Sequence, residues 1–262
     1  MGEYMKYKIN DLVTRKSYDN DIVFKIVDID EETYYLKGMT VRLYADSFEE
    51  DLQIFEDTLD ESEFLERIKP NIDVERSDYF YLPGKVLHID GDSEYLNRCL
   101  NYYTSAKIAA IGLIIKEDEI ASKVKSLLEE YMPQILVITG HDAYYEKKGG
   151  INNVKAYKNS LNFINAVTEA RKYEKSHEKL IIIAGACQSD YEELIKAGAN
   201  FASSPKRINI HALDPAIVAT RMSLADATKD INLKSILETT KYGHEGVGGL
   251  TTKGTMYTGY PR

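Results

Sequence analysis

The sequence predicts a doubly wound, mostly parallel α/β domain preceded by a small β-rich, barrel-like one. Three observations carry this reading. After Pro83-Gly84, short apolar runs alternate with amphipathic stretches of helical period, the pattern of βαβ units whose strands are covered on both faces. Before residue 50, β-rich runs are separated only by turn residues such as Asp19-Asn20 and Lys37-Gly38. Between the two regions lies a dense acidic stretch ending at Pro70, read as an exposed helix or linker. The expected division is therefore a β-rich domain over 1–50, an acidic helical linker over 51–76 and an α/β domain over 77–262, with the boundary near Ser77.

In chain order, the first domain offers the strand candidates DLVTRKS, DIVFKIVDID, TYYLKG and MTVRLYA. Tyr34, Tyr35 and Tyr44 fall within them, either filling the core of this small sheet or presenting it to protein partners. The second domain offers KVLHID, KIAAIGLIIK, QILVITG, KLIIIAG, NFASS and INIHAL as strands. SEYLNRCLNYYTS, EIASKVKSLLEEY, VKAYKNSLNFINAVTEARKYE and YEELIKAG are the helices between them. Cys99 lies on an apolar helix face and His88 inside a strand, so both read as structural. The glycine-rich end, GHEGVGGLTTKGTMYTGYPR, is expected to form a β-hairpin beside the cleft.

Composition excludes several classes of function. The chain has 262 residues, 42 acidic against 33 basic, for a net charge of -9, which opposes attraction to nucleic acid and to anionic membranes. Two cysteines 88 positions apart make neither a disulfide framework nor a zinc site, and no spacing of metal ligands or cofactor-binding motif stands out. The N-terminal MGEYMKYKIN has no signal-peptide core, and the longest apolar runs fall far short of the roughly 20 residues that span a bilayer. A cytoplasmic protein with no cofactor and no membrane anchor is expected.

In a doubly wound sheet the site lies outside the carboxyl ends of the strands. Two predicted strands end in reactive residues there: QILVITG runs into His141 and KLIIIAGA into Cys187. Only a thiolate is an effective nucleophile, so a catalytic cysteine wants an imidazole or a helix N-terminus nearby. Ser189-Asp190-Tyr191-Glu192 reads as a capping box opening the next helix, with Ser189 as N-cap. Ala184-Gly185-Ala186 would bring main-chain N–H groups close to a substrate carbonyl. His141 stands 46 positions before Cys187, near the spacing of about 50 in caspases, and GACQS shares the Ala-Cys-Gln core of the caspase signature. His211, in INIHALDP, and the more weakly placed His244 remain rival bases.

TGHDAYY, KNSLNFINAVTEARKYE, IIIAGACQS, AGANFASSPKR, IHALDP and GLTTKGTMYTGYPR together resemble the YabG family of sporulation-specific peptidases of spore-forming Firmicutes. The likeness covers nearly the whole chain. It implies a caspase- or gingipain-like cysteine peptidase, cutting next to arginine, that processes spore coat and related precursor proteins in the mother-cell cytoplasm. Caspase-type peptidases carry glycine directly after the histidine, whereas here Gly140 precedes His141 and Asp142 follows it. Asp142 would then supply an oxyanion N–H, with its carboxylate turned away or orienting His141. An arginine-accepting pocket needs a carboxylate, and Asp142, Asp190, Asp214 and Glu245 are its candidates. Arg207 and Arg262 raise the possibility of self-cleavage. The competing readings are an amidohydrolase or amidotransferase type of cysteine hydrolase, for which GACQS lacks the second glycine of the usual elbow, and a receiver-like binding module without catalysis.

Overall fold

The computed structural model describes residues 6–70 and 79–260. The chain forms two compact units, Met1–Ser62 and Glu63–Arg262. The expected boundary near Ser77 lies outside the described residues. The stretch expected as an acidic linker holds a strand of the first unit and a helix of the second.

The first unit is a five-stranded antiparallel sheet. Its strands are β1 (Leu12–Arg15), β2 (Phe24–Asp30), β3 (Thr33–Gly38), β4 (Tyr44–Phe48) and β5 (Leu52–Ile54), in the order β4-β3-β2-β1-β5. Alternation sends Val13, Phe24, Ile26, Tyr34, Leu36 and Leu52 to one buried face, where Tyr7 joins them. The outcome for the tyrosines is split. Tyr34 is buried and donates its hydroxyl to Glu49, while Tyr35 and Tyr44 stay exposed. Met39–Leu43, expected as strand, is instead a turn closed by the Gly38 N–H on Leu43 O at 2.7 Å.

The second unit opens with α1 (Ser62–Ile68) and β6 (Phe80–Leu82). A regular alternation follows: β7 (Val86–Asp90), α2 (Ser93–Ser105), β8 (Ala110–Ile114), α3 (Glu117–Tyr131), β9 (Ile135–Thr139), α4 (Ser160–Tyr173), β10 (Ile181–Ala184), α5 (Tyr191–Ala197) and β11 (Phe201–Ser203). After these come α6 (Asp214–Leu224), α7 (Leu233–Leu237), α8 (Gly243–Gly246), β12 (Val247–Gly249) and β13 (Tyr257–Gly259). The main sheet runs β12-β11-β10-β9-β7-β8, parallel except for β12. It is a mixed α/β unit with a predominantly parallel sheet.

Continuous apolar strands dictate burial on both faces. Leu87, Ile89, Leu136, Ile138 and Ile182 pack under α3, α4 and α5. Val86, Ile135, Val137, Ile181 and Ile183 pack under α2 and α6, together with Phe64 and Ile68 of α1. Each fully buried Ile or Leu contributes about 1.5–3 kcal/mol, so this double-sided core fixes the strand ends that carry the site.

Two expectations are corrected here. INIHAL is not a strand: Ser204 and Arg207 take positive φ (65° and 55°), which turns the chain out of the sheet, and the His211 N–H bonds to Asp214 rather than to a neighbouring strand. The glycine-rich end is not a hairpin on itself. Its first part pairs with β11 as β12, and its last part pairs with β6 as β13. Glycine is needed in β12 because a Cβ on Gly248 would meet the Tyr191 ring and one on Gly249 the Phe201 ring.

Candidate active site

The strand order places the topological switch between β7 and β9, since the chain leaves β7 toward β8 on one side and returns to β9 on the other. The loops after β7, β9, β10 and β11 meet at this end of the sheet. Ile138 of β9 is the register partner of Ala184 of β10. His141 and Cys187 each follow that pair by three residues, on adjacent parallel strands.

The Cys187 turn departs sharply from its strand. Gly185 has φ +102° and Gln188 φ +57°, and a Cβ on Gly185 would lie 2.9 Å from Leu194 Cδ1. Cys187 is fully buried, with Sγ accepting the Ile210 N–H at 3.3 Å and lying 3.7 Å from Ile210 O. An N–H directed at sulfur supports negative charge there. The N-cap of α5 is Asp190, not Ser189: Asp190 Oδ1 accepts the Glu193 N–H, while Ser189 Oγ accepts the Ala186 N–H. Ser189 is drawn away because its hydroxyl is needed by a buried carboxylate. Glu192 does not reach back to close a capping box, and pairs instead with Arg207.

That carboxylate belongs to Asp142. Its Oδ2 accepts from Ser189 Oγ at 2.9 Å and Ser160 Oγ at 2.5 Å, and its Oδ1 from the Asn159 and Ala143 N–H groups. Burial raises the Asp142 pKa, and the four hydrogen bonds offset only part of that rise. Asp142 thus ties the loop after β9 to the loop after β10 and to the start of α4. Gln188 Oε1 adds a second stitch by accepting the Tyr144 N–H at 3.1 Å.

His141 is held by two acids that sequence reasoning missed. Asp92 Oδ2 stands 3.2 Å from His141 Nε2, while Asp92 Oδ1 caps α2 through the Glu94 and Tyr95 N–H groups. Glu117, the first residue of α3, accepts the His141 N–H at 2.8 Å. Its carboxylate fills the space that Gly91 and Gly140 leave open, since a Cβ at either glycine would strike it. By position Asp92 is the N-cap of α2 and Glu117 an acid in the first turn of α3, duties that need no partner elsewhere. The available signal was the glycine beside each acid's target, Gly91 and Gly140, at two adjacent strand ends.

The other predicted residues lie as follows. Asp214 is fully buried, and its oxygens accept the His211 and Lys241 N–H groups; burial raises its pKa against these bonds. His211 Nδ1 accepts the Leu213 N–H, and its ring lies 4.5 Å from that of Phe64. Asp190 is buried, its pKa raised by desolvation, and its Oδ1 pairs with Arg207 at 3.3 Å. Arg207 also binds Tyr157 and Glu192. Glu245 and His244 are exposed on α8. The α8 backbone is joined to the site by the Ser204 N–H on Gly246 O and the Gln188 N–H on Ser204 Oγ. Arg262 lies outside the described residues. Among the described residues, no cluster of three His, Cys, Asp or Glu side chains is arranged to hold a metal, and no helix is long and apolar enough to cross a membrane.

Two comparisons bear on this arrangement. A family model described as YabG peptidase U57 matches residues 8–68 and 55–261. A protein of Bacillus subtilis (strain 168) named sporulation-specific protease YabG is 40% identical over 286 aligned positions, covering 98% of this chain and 99% of that one.

Proposed function

The chain belongs to the YabG peptidase family, and on that premise we propose that it is a cysteine endopeptidase with Cys187 as nucleophile, His141 as base and Asp92 as the acid that orients the base. The observation that carries the reading is the in-register pair β9 and β10, which delivers His141 and Cys187 to one edge with their loops joined through Asp142 and Ser189. The sheet order supports a caspase-like topology, and the antiparallel order of the first unit suits a small barrel.

Asp92 accepts from Nε2, so Nε2 carries the ring proton and Nδ1 is the basic nitrogen. The thiol proton passes to Nδ1 as Sγ bonds to the scissile carbonyl carbon. Asp92 then balances the imidazolium charge. The N–H groups of Gly185, Ala186, Gln188 and Ser189 already have acceptors within the chain. The Asp142 N–H has none among the described residues, so it is assigned to the oxyanion, with the carboxylate turned away into its own hydrogen bonds. Collapse breaks the C–N bond and returns the proton from Nδ1 to the leaving amine. Water, deprotonated by His141, then hydrolyses the thioester and regenerates the thiol.

Asp142 and Asp214 spend both oxygens on groups of this chain, and Asp190 faces Arg207. Glu245 is the remaining candidate with an exposed carboxylate, so it is the acid assigned to an arginine side chain of the substrate. The substrates are spore coat and related precursor proteins, met in the mother-cell cytoplasm of a sporulating cell. Self-cleavage after Arg207 would require loss of its bonds to Tyr157, Asp190 and Glu192.

Digestion of a peptide library with mass-spectrometric readout tests the whole reading. Wild-type protein should cut after arginine, and Cys187→Ala and His141→Ala should lower the rate by about 10³-fold or more while remaining folded. A Cys187→Ala protein that cuts at the wild-type rate ends the proposal. Loss in His211→Ala with His141→Ala still active would favour an amidohydrolase type of site.

A further inference from the structure

Behind Asp92 lies a set of buried polar groups that the reaction above does not use. His88 and Asp90 project from β7, Thr139 ends β9, and all three are wholly buried within the sheet. Such groups are costly to bury unless each is satisfied, and these are satisfied in one direction. Thr139 Oγ1 donates to Asp90 Oδ2 at 2.8 Å. Its lone pair therefore faces His88 Nε2 at 3.0 Å, which carries the ring proton and donates it. His88 Nδ1 stands 3.0 Å from the Tyr103 hydroxyl of α2, and in the neutral ring with its proton on Nε2 it accepts that hydroxyl's hydrogen bond. With a neutral His88, Tyr103, His88 and Thr139 donate in sequence toward the Asp90 carboxylate, whose Oδ2 also lies 3.6 Å from His88 Nε2.

The other oxygen of that carboxylate acts on the active loop. Asp90 Oδ1 accepts the Asp92 N–H at 2.9 Å across Gly91. With its main chain held by Asp90 and its Oδ1 held by the α2 cap, Asp92 presents Oδ2 to His141. We propose that Asp90, oriented by Thr139, His88 and Tyr103, is a positioning residue that acts on His141 through Asp92. This rests on the reading of His141 and Cys187 as base and nucleophile. A misplacement of about 1 Å at a catalytic group can cost up to about 10²-fold, so the device would govern turnover without touching substrate.

The test is a double-mutant cycle on the full-length protein, with labelled casein as substrate. Asp90→Asn and Thr139→Val should each lower kcat about tenfold with KM within about twofold, and Thr139→Ser should restore it. In an Asp92→Asn background, Asp90→Asn should cost nothing further. Independent, multiplicative losses, an unchanged kcat in both single variants, or a Thr139→Ser protein as slow as Thr139→Val would overturn the proposal. Should Asp90→Asn fail to fold, the Thr139 pair carries the same comparison, alone and with Asp92→Asn. An activity-independent measurement separates this proposal from the catalytic reading. The His141 Nε2 proton should exchange slowly by NMR in wild type and Thr139→Ser and rapidly in Thr139→Val, even if Cys187→Ala proves active; equal exchange in all three sinks the positioning role.

Discussion

The two units of this chain handle carboxylates in opposite ways. Between Met1 and Ser62 the sequence has 16 acids and 7 bases, whereas the remaining residues carry 26 of each. The whole net charge of -9 therefore belongs to the smaller unit. Its acids are bound at the surface: Asp51 accepts from Ser17 and Ser47, and Glu49 from the Lys6 N–H and Tyr34. In the larger unit Asp142, Asp190 and Asp214 are buried, and each accepts main-chain N–H groups. A surface carboxylate can exchange its partners for water; a buried one cannot. The smaller unit uses charge as solvation, and the larger unit uses it as framework for a site.

The sharpest attempt to break this contrast is Asp142→Ala. It strands four donors in the interior and should cost about 3–5 kcal/mol in denaturant unfolding, with loss of activity. Asp51→Ala, whose partner Ser17 is exposed and whose only buried donor is the Ser47 hydroxyl, should cost no more than about 1 kcal/mol. Equal costs would show that burial does not separate the two. Next in size is Asp92→Asn, which keeps an oxygen to cap α2 but presents an amide to His141. It should lower kcat by about 10²–10³-fold while the thermal midpoint stays nearly unchanged. Glu117→Ala should release the His141 N–H and lower kcat about tenfold, with the fold intact by circular dichroism.

The smallest effect is on pH dependence. Hydrogen bonds from the Lys6 N–H and Tyr34 hold Glu49 below the ordinary carboxylate range, and those from Ser17 and Ser47 outweigh desolvation to hold Asp51 there too. Their contribution is present above the unfolded-state value and is lost as pH falls through the lowered folded-state values. Burial raises Asp142, Asp190 and Asp214. In the folded state these bind protons more readily than in the unfolded chain, so their contribution grows as pH falls from the raised values to the ordinary one. Hydrogen exchange followed peptide by peptide should show the smaller unit losing protection first on acidification. Loss from the β7, β9 and β10 peptides first would reverse the assignment.

Much of the larger unit was legible because a parallel strand buried on both sides must be apolar throughout, and ILVIT, IIIA and VLHID nearly are. The strand-end positions of His141 and Cys187 followed from that. β12 was not legible: VGG has almost no side chain to display, and its reason for being a strand lies in Tyr191 and Phe201, which press against it from elsewhere. INIHAL misled in the opposite way, since its buried residues pack without joining the sheet. Asp92 and Glu117 escaped notice because each also does what such acids ordinarily do at a helix start. A second duty across 49 or 24 residues leaves no periodic trace.

The Asp142 junction has a mechanical consequence. Because Ser160 opens α4, and its hydroxyl serves both Asp142 and the Asp190 N–H, the His141 and Cys187 turns share an anchor in a helix that carries neither residue. Fraying that first turn would slacken both halves together, so intermediate states with one half set and the other loose should be scarce, and activity should switch off cooperatively with the end of one helix.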